Sequence, residues 1–150
     1  MLPLTAMVVD DNRYFLRFVT QVLADHYTDL LEVQAACRTY AVIERCAALQ
    51  PQVILLDLGL PGMTGLRFIA PLRQAAPATT ILILSTENQA PYGEAARRAG
   101  ASALLDKATL NMTLRVTITG LRLGFAHHPT PPNSATCTIE TIHPNYQEDH

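Results

Sequence analysis

The sequence has few of the features that mark membrane, secreted or nucleic-acid-binding proteins. Charged residues make up only 16% of its 150 residues and the net charge is −2, so no general attraction to nucleic acid or anionic lipid is expected. The apolar runs at 53–56 and 81–84 are far too short to cross about 30 Å of hydrocarbon. The first residues lack the basic region of a signal peptide. We therefore expect a cytoplasmic protein with no membrane span and no direct nucleic-acid contact.

Cysteine is also scarce. Three cysteines, Cys37, Cys46 and Cys137, cannot all pair with one another, and no two have the C-x-x-C spacing of a zinc or redox site. Cys46 lies four residues after Val42 and three before Leu49, which favours a small core side chain over a reactive thiol. A reduced compartment is therefore expected.

Hydrophobic residues, in contrast, make up 49% of the chain, enough for a packed core in one domain. Short apolar runs alternate with longer segments of helical period, a pattern typical of an α/β fold with a parallel sheet covered by helices on both faces. The predicted strands are 4–9, 31–36, 53–57, 81–85 and 103–105. The predicted helices between them are 14–25, 39–49, 65–75 and 91–100.

Periodicity also predicts which helix faces are buried. The first helix would bury Phe15, Phe18, Val19, Val22 and Leu23, and the second Val42, Ile43, Cys46 and Leu49. Thr64 is a candidate cap for the third helix, and Pro71 inside it predicts a kink or a late start.

The segment after the last strand has two interpretations. Residues 114–119 alternate between apolar and polar, as a strand would. Leu110, Leu114, Ile118 and Leu121 instead form a helical stripe, and a closing helix preserves the βα alternation. We expect a helix and leave the strand as the alternative.

From Phe125 onward the composition turns to proline, serine, threonine and histidine. We therefore expect one folded domain over residues 1–124 and a proline-rich tail or linker over residues 125–150. Ile139 and Ile142 leave open an extended segment at 138–142 that docks on the domain. His127 and His128 lack a second pair of ligands at zinc-site spacing and are expected to be solvated.

Polar residues end four of the five predicted strands. In a doubly wound sheet the functional crevice lies beyond the carboxyl ends of the strands. The residues at those ends are Asp10 and Asp11, Asp57, Ser85 and Thr86, and Asp106 and Lys107. Clustered carboxylates repel one another unless a cation lies among them, and an all-oxygen donor set suits Mg²⁺. A carboxylate beside a metal, an ammonium and a hydroxyl can accept a phosphoryl group.

The ordered motifs carry a family resemblance. They are Val-Val-Asp-Asp-Asn at 8–12, Ile-Leu-Leu-Asp-Leu-Gly-Leu-Pro-Gly-Met-Thr-Gly at 54–65, Leu-Ser-Thr at 84–86 and Leu-Leu-Asp-Lys at 104–107. Together they make residues 4–124 resemble the receiver domain of bacterial two-component response regulators. The resemblance implies a flavodoxin-like, five-stranded parallel sheet of order 2-1-3-4-5 with helices on both faces.

The resemblance also implies roles for the strand-end residues. Asp57 would be the phosphoacceptor. Asp11, Asp57 and the backbone carbonyl of Gly59 would bind Mg²⁺ directly, and Asp10 would bind it through water. Lys107 would then pair with the phosphoryl group.

The remaining implications concern the switch and the partners. Ser85 would hydrogen-bond the phosphoryl group, with the Thr86 backbone beside it. The donor would be a histidine kinase or a histidine phosphotransfer protein. The chain would be a switch rather than a turnover enzyme, acting on a downstream protein or an effector domain. A homodimer through the fourth and fifth helices is a further implication.

The sequence departs from the family pattern at the switch. Leu104 stands where the family commonly has an aromatic switch residue that moves together with Ser85. Ala108 stands where a proline with a cis peptide usually follows the lysine, so a trans bond or a rearranged loop is expected. These departures leave open a degenerate receiver that acts without phosphate. A phosphatase is a weaker alternative, because Gly59 replaces its usual second aspartate.

Overall fold

The computed structural model describes residues 2–38, 41–59, 65–86 and 90–123. Strands and helices alternate along this part of the chain, as the hydrophobic periodicity predicts. The strands are β1 (Leu4–Val9), β2 (Leu31–Cys37), β3 (Val53–Asp57), β4 (Thr80–Ser85) and β5 (Ala103–Asp106). The helices are α1 (Arg13–His26), α2 (Val42–Leu49), α3 (Gly65–Ala75), α4 (Ala90–Ala99) and α5 (Leu110–Arg122).

The five strands form one parallel sheet in the order β2-β1-β3-β4-β5, which confirms the predicted fold class and strand order. Successive strand residues point to opposite faces, so the sheet has a core on each side. On one side, Met7, Ile54 and Ile83 pack with α2, α3 and α4. On the other, Val8 and Leu55 pack with α1 and α5.

Two predicted core residues are exposed instead. Phe18 is 59% exposed and Leu49 is 38% exposed, so their assignment to buried faces was wrong. On α1 the buried residues are Leu16, Val19 and Leu23. This stripe points to the sheet and leaves Phe18 on the outer side of the helix, because periodicity alone does not fix the centre of a buried face.

The two ambiguous segments are both helical. The chain from Leu110 to Arg122 is α5, with Leu110, Leu114 and Ile118 buried, so the helical interpretation is confirmed and the strand alternative was wrong. Helix α3 runs from Gly65 through Pro71 to Ala75, which excludes a late start. A kink at Pro71 stays a prediction, and the candidate cap Thr64 lies outside the described residues.

Cys46 lies on α2 and is fully buried in the core. Burial raises the pKa of its thiol, which disfavours the reactive thiolate and confirms it as a core side chain. Within the described ranges, no helix is long and apolar enough to cross a membrane. The predicted tail, including 138–142, His127, His128 and Cys137, lies outside those ranges.

Candidate functional site

Three strand-end aspartates form the same local turn. The side chains of Asp10, Asp57 and Asp106, at the ends of β1, β3 and β5, each accept a hydrogen bond from the backbone N–H two residues later. The donor to acceptor distances are 2.8 Å from Asn12, 3.1 Å from Gly59 and 2.8 Å from Ala108. In such Asx turns the aspartate side chain bonds the backbone two residues later and mimics a backbone turn. Forming this turn is therefore one role of Asp57. Because Asp106 forms the same turn, the turn alone does not distinguish Asp57 from a structural aspartate.

The ion pairs distinguish these aspartates. Lys107 Nζ lies 2.6 Å from Asp10 Oδ2 and 3.1 Å from Asp57 Oδ1. The side chains are 12% exposed for Lys107, 1% for Asp10 and 11% for Asp57. In the part of the chain that the structure describes, Lys107 therefore bridges the acids of β1 and β3 and not Asp106. Because β1 and β3 are hydrogen-bonded neighbours, the sheet itself brings the two carboxylates together.

Asp10 is the most buried acid of the site. Burial raises the pKa of its carboxyl group, the hydrogen bonds from Lys107 and the Asn12 backbone lower it, and the nearby charge of Asp57 raises it. The net direction is upward. Two largely buried carboxylates share one ammonium, so ionisation of both leaves an excess of negative charge at the site. This excess is an electrostatic reason for a further cation to bind there.

The other predicted residues occupy the same edge of the sheet. Ser85 is buried at the end of β4, in register with Asp106 of β5. Thr86 follows it and is exposed, and Asp11 is half-buried between β1 and α1. Leu104 lies in β5, half-buried against the core beneath α2, α3 and α4. The parallel strands therefore bring Ser85, Thr86 and Asp11 to the same edge of the sheet, whereas Leu104 lies within β5.

The loop after Lys107 forms a capped turn with alanine, not proline, at position 108. The described residues contain no cis peptide bond, so the bond from Lys107 to Ala108 is trans, as predicted. Residues Lys107–Thr109 form one turn of 3-10 helix, capped by the side chain of Asp106 on Ala108 N–H. A proline at 108 has no N–H to donate, so alanine makes this cap available.

Gly65 is held against the backbone of the candidate phosphoacceptor. A Cβ atom on Gly65 would lie 2.2 Å from the Asp57 carbonyl oxygen and 3.0 Å from Leu58 Cα. The Gly65 N–H also donates to the Leu58 carbonyl at 3.1 Å. The glycine therefore lets α3 begin directly against the end of β3, which fixes where Asp57 lies.

Sequence reasoning missed two contacts at the site. Asn12 caps α1 by accepting hydrogen bonds from the N–H groups of Tyr14 and Phe15, and asparagine before an amphipathic segment is a recognised signal for this. The Phe15 ring lies under the ammonium of Lys107, with 4.0 Å from Nζ to the ring centroid. No sequence signal links these two residues, because they lie on α1 and after β5.

The candidate magnesium ligands are all oxygen donors on adjacent strand ends. Within the described ranges, no three His, Cys, Asp or Glu side chains are grouped to hold a metal ion as they stand. The ammonium of Lys107 instead lies between two of the carboxylates. Carboxylate oxygens of Asp11 and Asp57 with the Gly59 carbonyl match the donors that Mg²⁺ prefers, so the residues present fit that ion.

Comparison with known proteins agrees with this geometry. The family model of the response regulator receiver domain matches residues 6–119. A protein-glutamate methylesterase/protein-glutamine glutaminase of Myxococcus xanthus is 33% identical over 116 residues, which are 76% of this chain and 33% of that protein. The nitrate/nitrite response regulator NarL of Escherichia coli is 32% identical over 105 residues, covering 70% of this chain and 48% of NarL.

A solved structure of a response regulator has the same fold. The crystal structure of a LuxR-family two-component response regulator from Aurantimonas superposes with a TM-score of 0.74 at 22% identity, covering 86% of this chain and 92% of that one. The chain spans from about a third to three fifths of the length of the curated relatives that it matches. The fold, the crevice of acids and the family match together show that the chain belongs to the response regulator receiver domains of two-component signalling.

Proposed function

We propose that Asp57 is the phosphoacceptor of this receiver and that Asp10, Asp11 and Lys107 form the machinery around it. The observation that supports this most strongly is the Lys107 bridge between Asp10 and Asp57. A structural strand-end aspartate needs only its turn, as Asp106 illustrates. Asp57 in addition lies beside a nearly buried cation at the carboxyl edge of the sheet.

The proposed reaction transfers one phosphoryl group and no electrons. An oxygen of the Asp57 carboxylate attacks phosphorus, a new P–O bond forms, and the bond from phosphorus to the donor breaks. With acetyl phosphate the leaving group is acetate, and with a phosphohistidine it is the imidazole. Lys107 Nζ lies within reach of Asp57, so its charge would neutralise a phosphoryl oxygen. The Ser85 hydroxyl would donate a hydrogen bond to another.

Magnesium is part of the proposal. Asp11, Asp57 and the Gly59 carbonyl would hold the ion, and Asp10 would contact it through water. The ion would supply positive charge for the phosphoryl oxygens.

Two alternatives account for less of the site. A phosphatase would need an acid or base near residue 59, but Gly59 offers only its backbone, and its N–H is bonded to Asp57. A receiver that acts without phosphate is motivated by Leu104 and Ala108. Such a receiver gives no reason for Lys107 to lie between two buried acids. Replacing both partners of a buried charge pair by apolar residues is often neutral or stabilising.

Acetyl phosphate with Mg²⁺ is expected to add one phosphoryl group to the wild-type protein and none to Asp57→Asn. Intact-mass spectrometry detects the adduct. Asp106→Asn is the matched control, because Asp106 makes the same turn but lies outside the ion pairs, and it should keep the adduct. A wild-type protein that stays unmodified while folded, and also fails to bind beryllofluoride, would contradict the proposal and favour the phosphate-independent module.

The proposed donor in the cell is a histidine kinase or a histidine phosphotransfer protein in the cytoplasm. The proposed output is through a downstream protein or an effector domain. Its kind is left open, because the related proteins differ in function: one is named a methylesterase and another a nitrate/nitrite response regulator. We propose that residues 1–124 form the receiver and that 125–150 form a tail or linker.

A homodimer through α4 and α5 is the proposed assembly of the phosphorylated form. Met112 and Val116 are large apolar side chains exposed on α5, and adjacent exposed apolar residues often mark contact surfaces. Beryllofluoride with Mg²⁺ is expected to raise the mass measured by light scattering toward that of a dimer. Val116→Asp should prevent this rise; an unchanged wild-type mass would argue against the dimer.

A further inference from the structure

We infer that Phe15 is a positioning residue that holds Lys107 at the phosphoryl-binding crevice. The inference rests on the proposed function of Asp57 and Lys107, and assigns a role to a residue outside the strand-end motifs. Phe15 lies in the first turn of α1, three residues after its cap Asn12. Its ring and the Lys107 ammonium are joined by tertiary structure alone.

The contacts of Lys107 leave its ammonium little freedom. Asp10 and Asp57 approach it at 2.6 Å and 3.1 Å, and the Phe15 ring centroid lies 4.0 Å from Nζ. A cation within about 6 Å of an aromatic centroid is attracted by the negative face of the ring, most strongly where water is excluded. The carboxylates and the ring thus hold the end of a side chain that is otherwise long and flexible.

The Phe15 ring both packs against the core and contacts the Lys107 ammonium. Phe15 is half-buried beside the core formed with α1 and α5, so part of its surface serves packing. Leucine would serve that packing with similar bulk but has no aromatic face. The Phe18 ring lies 6.5 Å from the Phe15 ring on the same helix and is mostly exposed. Phe18 therefore supplies a matched aromatic control, because among the described residues it is the Phe15 ring that lies against the ammonium.

The expected consequence concerns the rate of phosphoryl uptake. A lysine held near the attacking carboxylate loses less side-chain freedom when it binds the phosphoryl oxygens. Without the ring, the ammonium has more conformations and more water around it. Phe15→Leu should therefore lower the rate of labelling by acetyl phosphate by about three- to tenfold, in line with the strength of cation–π contacts.

Lys107 is the only lysine of the sequence, which makes the contact directly measurable. Lysine-selective isotope labelling gives a single lysine side chain in the NMR spectrum. Protons next to the ammonium lie over the ring, so their resonances should be shifted upfield relative to those of a free lysine. The shift should disappear in Phe15→Leu, persist in Phe15→Tyr and persist in Phe18→Leu.

The test combines this spectrum with the labelling rate in the same four proteins. Phe15→Tyr keeps the ring and should label at close to the wild-type rate, and Phe18→Leu should label as the wild type does. A wild-type lysine without an upfield shift, or Phe15→Leu that labels at the wild-type rate, would overturn the inference. The wild-type spectrum decides the first point even if Phe15→Leu fails to fold. Absence of any adduct on the wild type would instead count against the function proposed for Asp57.

Discussion

Gly65→Ala is expected to lower the free energy of unfolding by about 3 kcal/mol, the upper end of the usual cost of overpacking. The added Cβ would lie 2.2 Å from the Asp57 carbonyl oxygen and 2.9 Å from its carbonyl carbon. These are backbone atoms, so relief requires moving α3 or the end of β3. Phosphoryl uptake should fall as well, because the moved atoms carry the Asp57 side chain. Urea unfolding and the acetyl phosphate assay measure the two effects.

Gly93→Ala in α4 is the matched control for this substitution. Apart from the adjoining residues and the backbone of the helix itself, no described atom lies within 4 Å of a Cβ built at Gly93, and alanine favours a helix over glycine by about 1 kcal/mol. The control should therefore stabilise the protein slightly and leave phosphoryl uptake unchanged. Equal stability of Gly65→Ala and the wild type would contradict the close packing of α3 against Asp57.

Lys107→Met is expected to destabilise the protein by about 3 kcal/mol near neutral pH, because removing one partner leaves buried charge without compensation. Methionine keeps an unbranched apolar chain and removes only the ammonium. Asp10, whose side chain is 1% exposed, bears most of the cost. Phosphoryl uptake should also fall sharply in this variant. Chemical unfolding at several pH values measures the stability.

The destabilisation should depend on pH with a definite sign. Burial raises the pKa of Asp10 above its ordinary value of 3.8, and the hydrogen bond from Lys107 acts against this rise. Without Lys107 the pKa of Asp10 should rise further, so the folded state holds its proton to higher pH than the unfolded state does. The resulting stabilisation is complete below the unfolded pKa and is lost as pH rises through the folded pKa. Lys107→Met should thus approach wild-type stability near pH 4.

The double variant Asp10→Asn, Lys107→Met separates charge from packing. Asparagine can still accept the hydrogen bond from Asn12 N–H, but it carries no charge to leave unpaired. The double variant should recover much of the stability lost by Lys107→Met at neutral pH. A Lys107→Met loss that is the same at pH 4 and pH 7, with no recovery in the double variant, would contradict the account of Asp10.

The order of elements and the acids of the site were predictable from the sequence. Alternating apolar runs mark a parallel sheet, and such a sheet places Asp10, Asp57 and Lys107 at one edge whatever the details of the helices. The buried strand β3 was predictable as a short continuous apolar run. Residues 114–119 of α5 also alternate as a strand would, so the helix there was predictable from the apolar stripe together with the βα alternation.

Contacts set by the relative placement of elements were not predictable. Phe18 has the right spacing for a buried face, yet α1 is rotated so that Leu16 is buried instead. Phe15 meets Lys107 only because α1 and the turn after β5 converge on the crevice. The constraint on Gly65 likewise arises from the approach of α3 to β3. These are tertiary distances, which local periodicity does not contain.

The most direct test of the central claim locates the phosphoryl group on the chain. Borohydride reduces an aspartyl phosphate to homoserine, which tandem mass spectrometry assigns to one residue after digestion. Wild-type protein treated with acetyl phosphate and Mg²⁺ should contain homoserine at position 57 alone. Homoserine at Asp10, Asp11 or Asp106, or at no position in a protein that gained the phosphoryl mass, would contradict the assignment of Asp57.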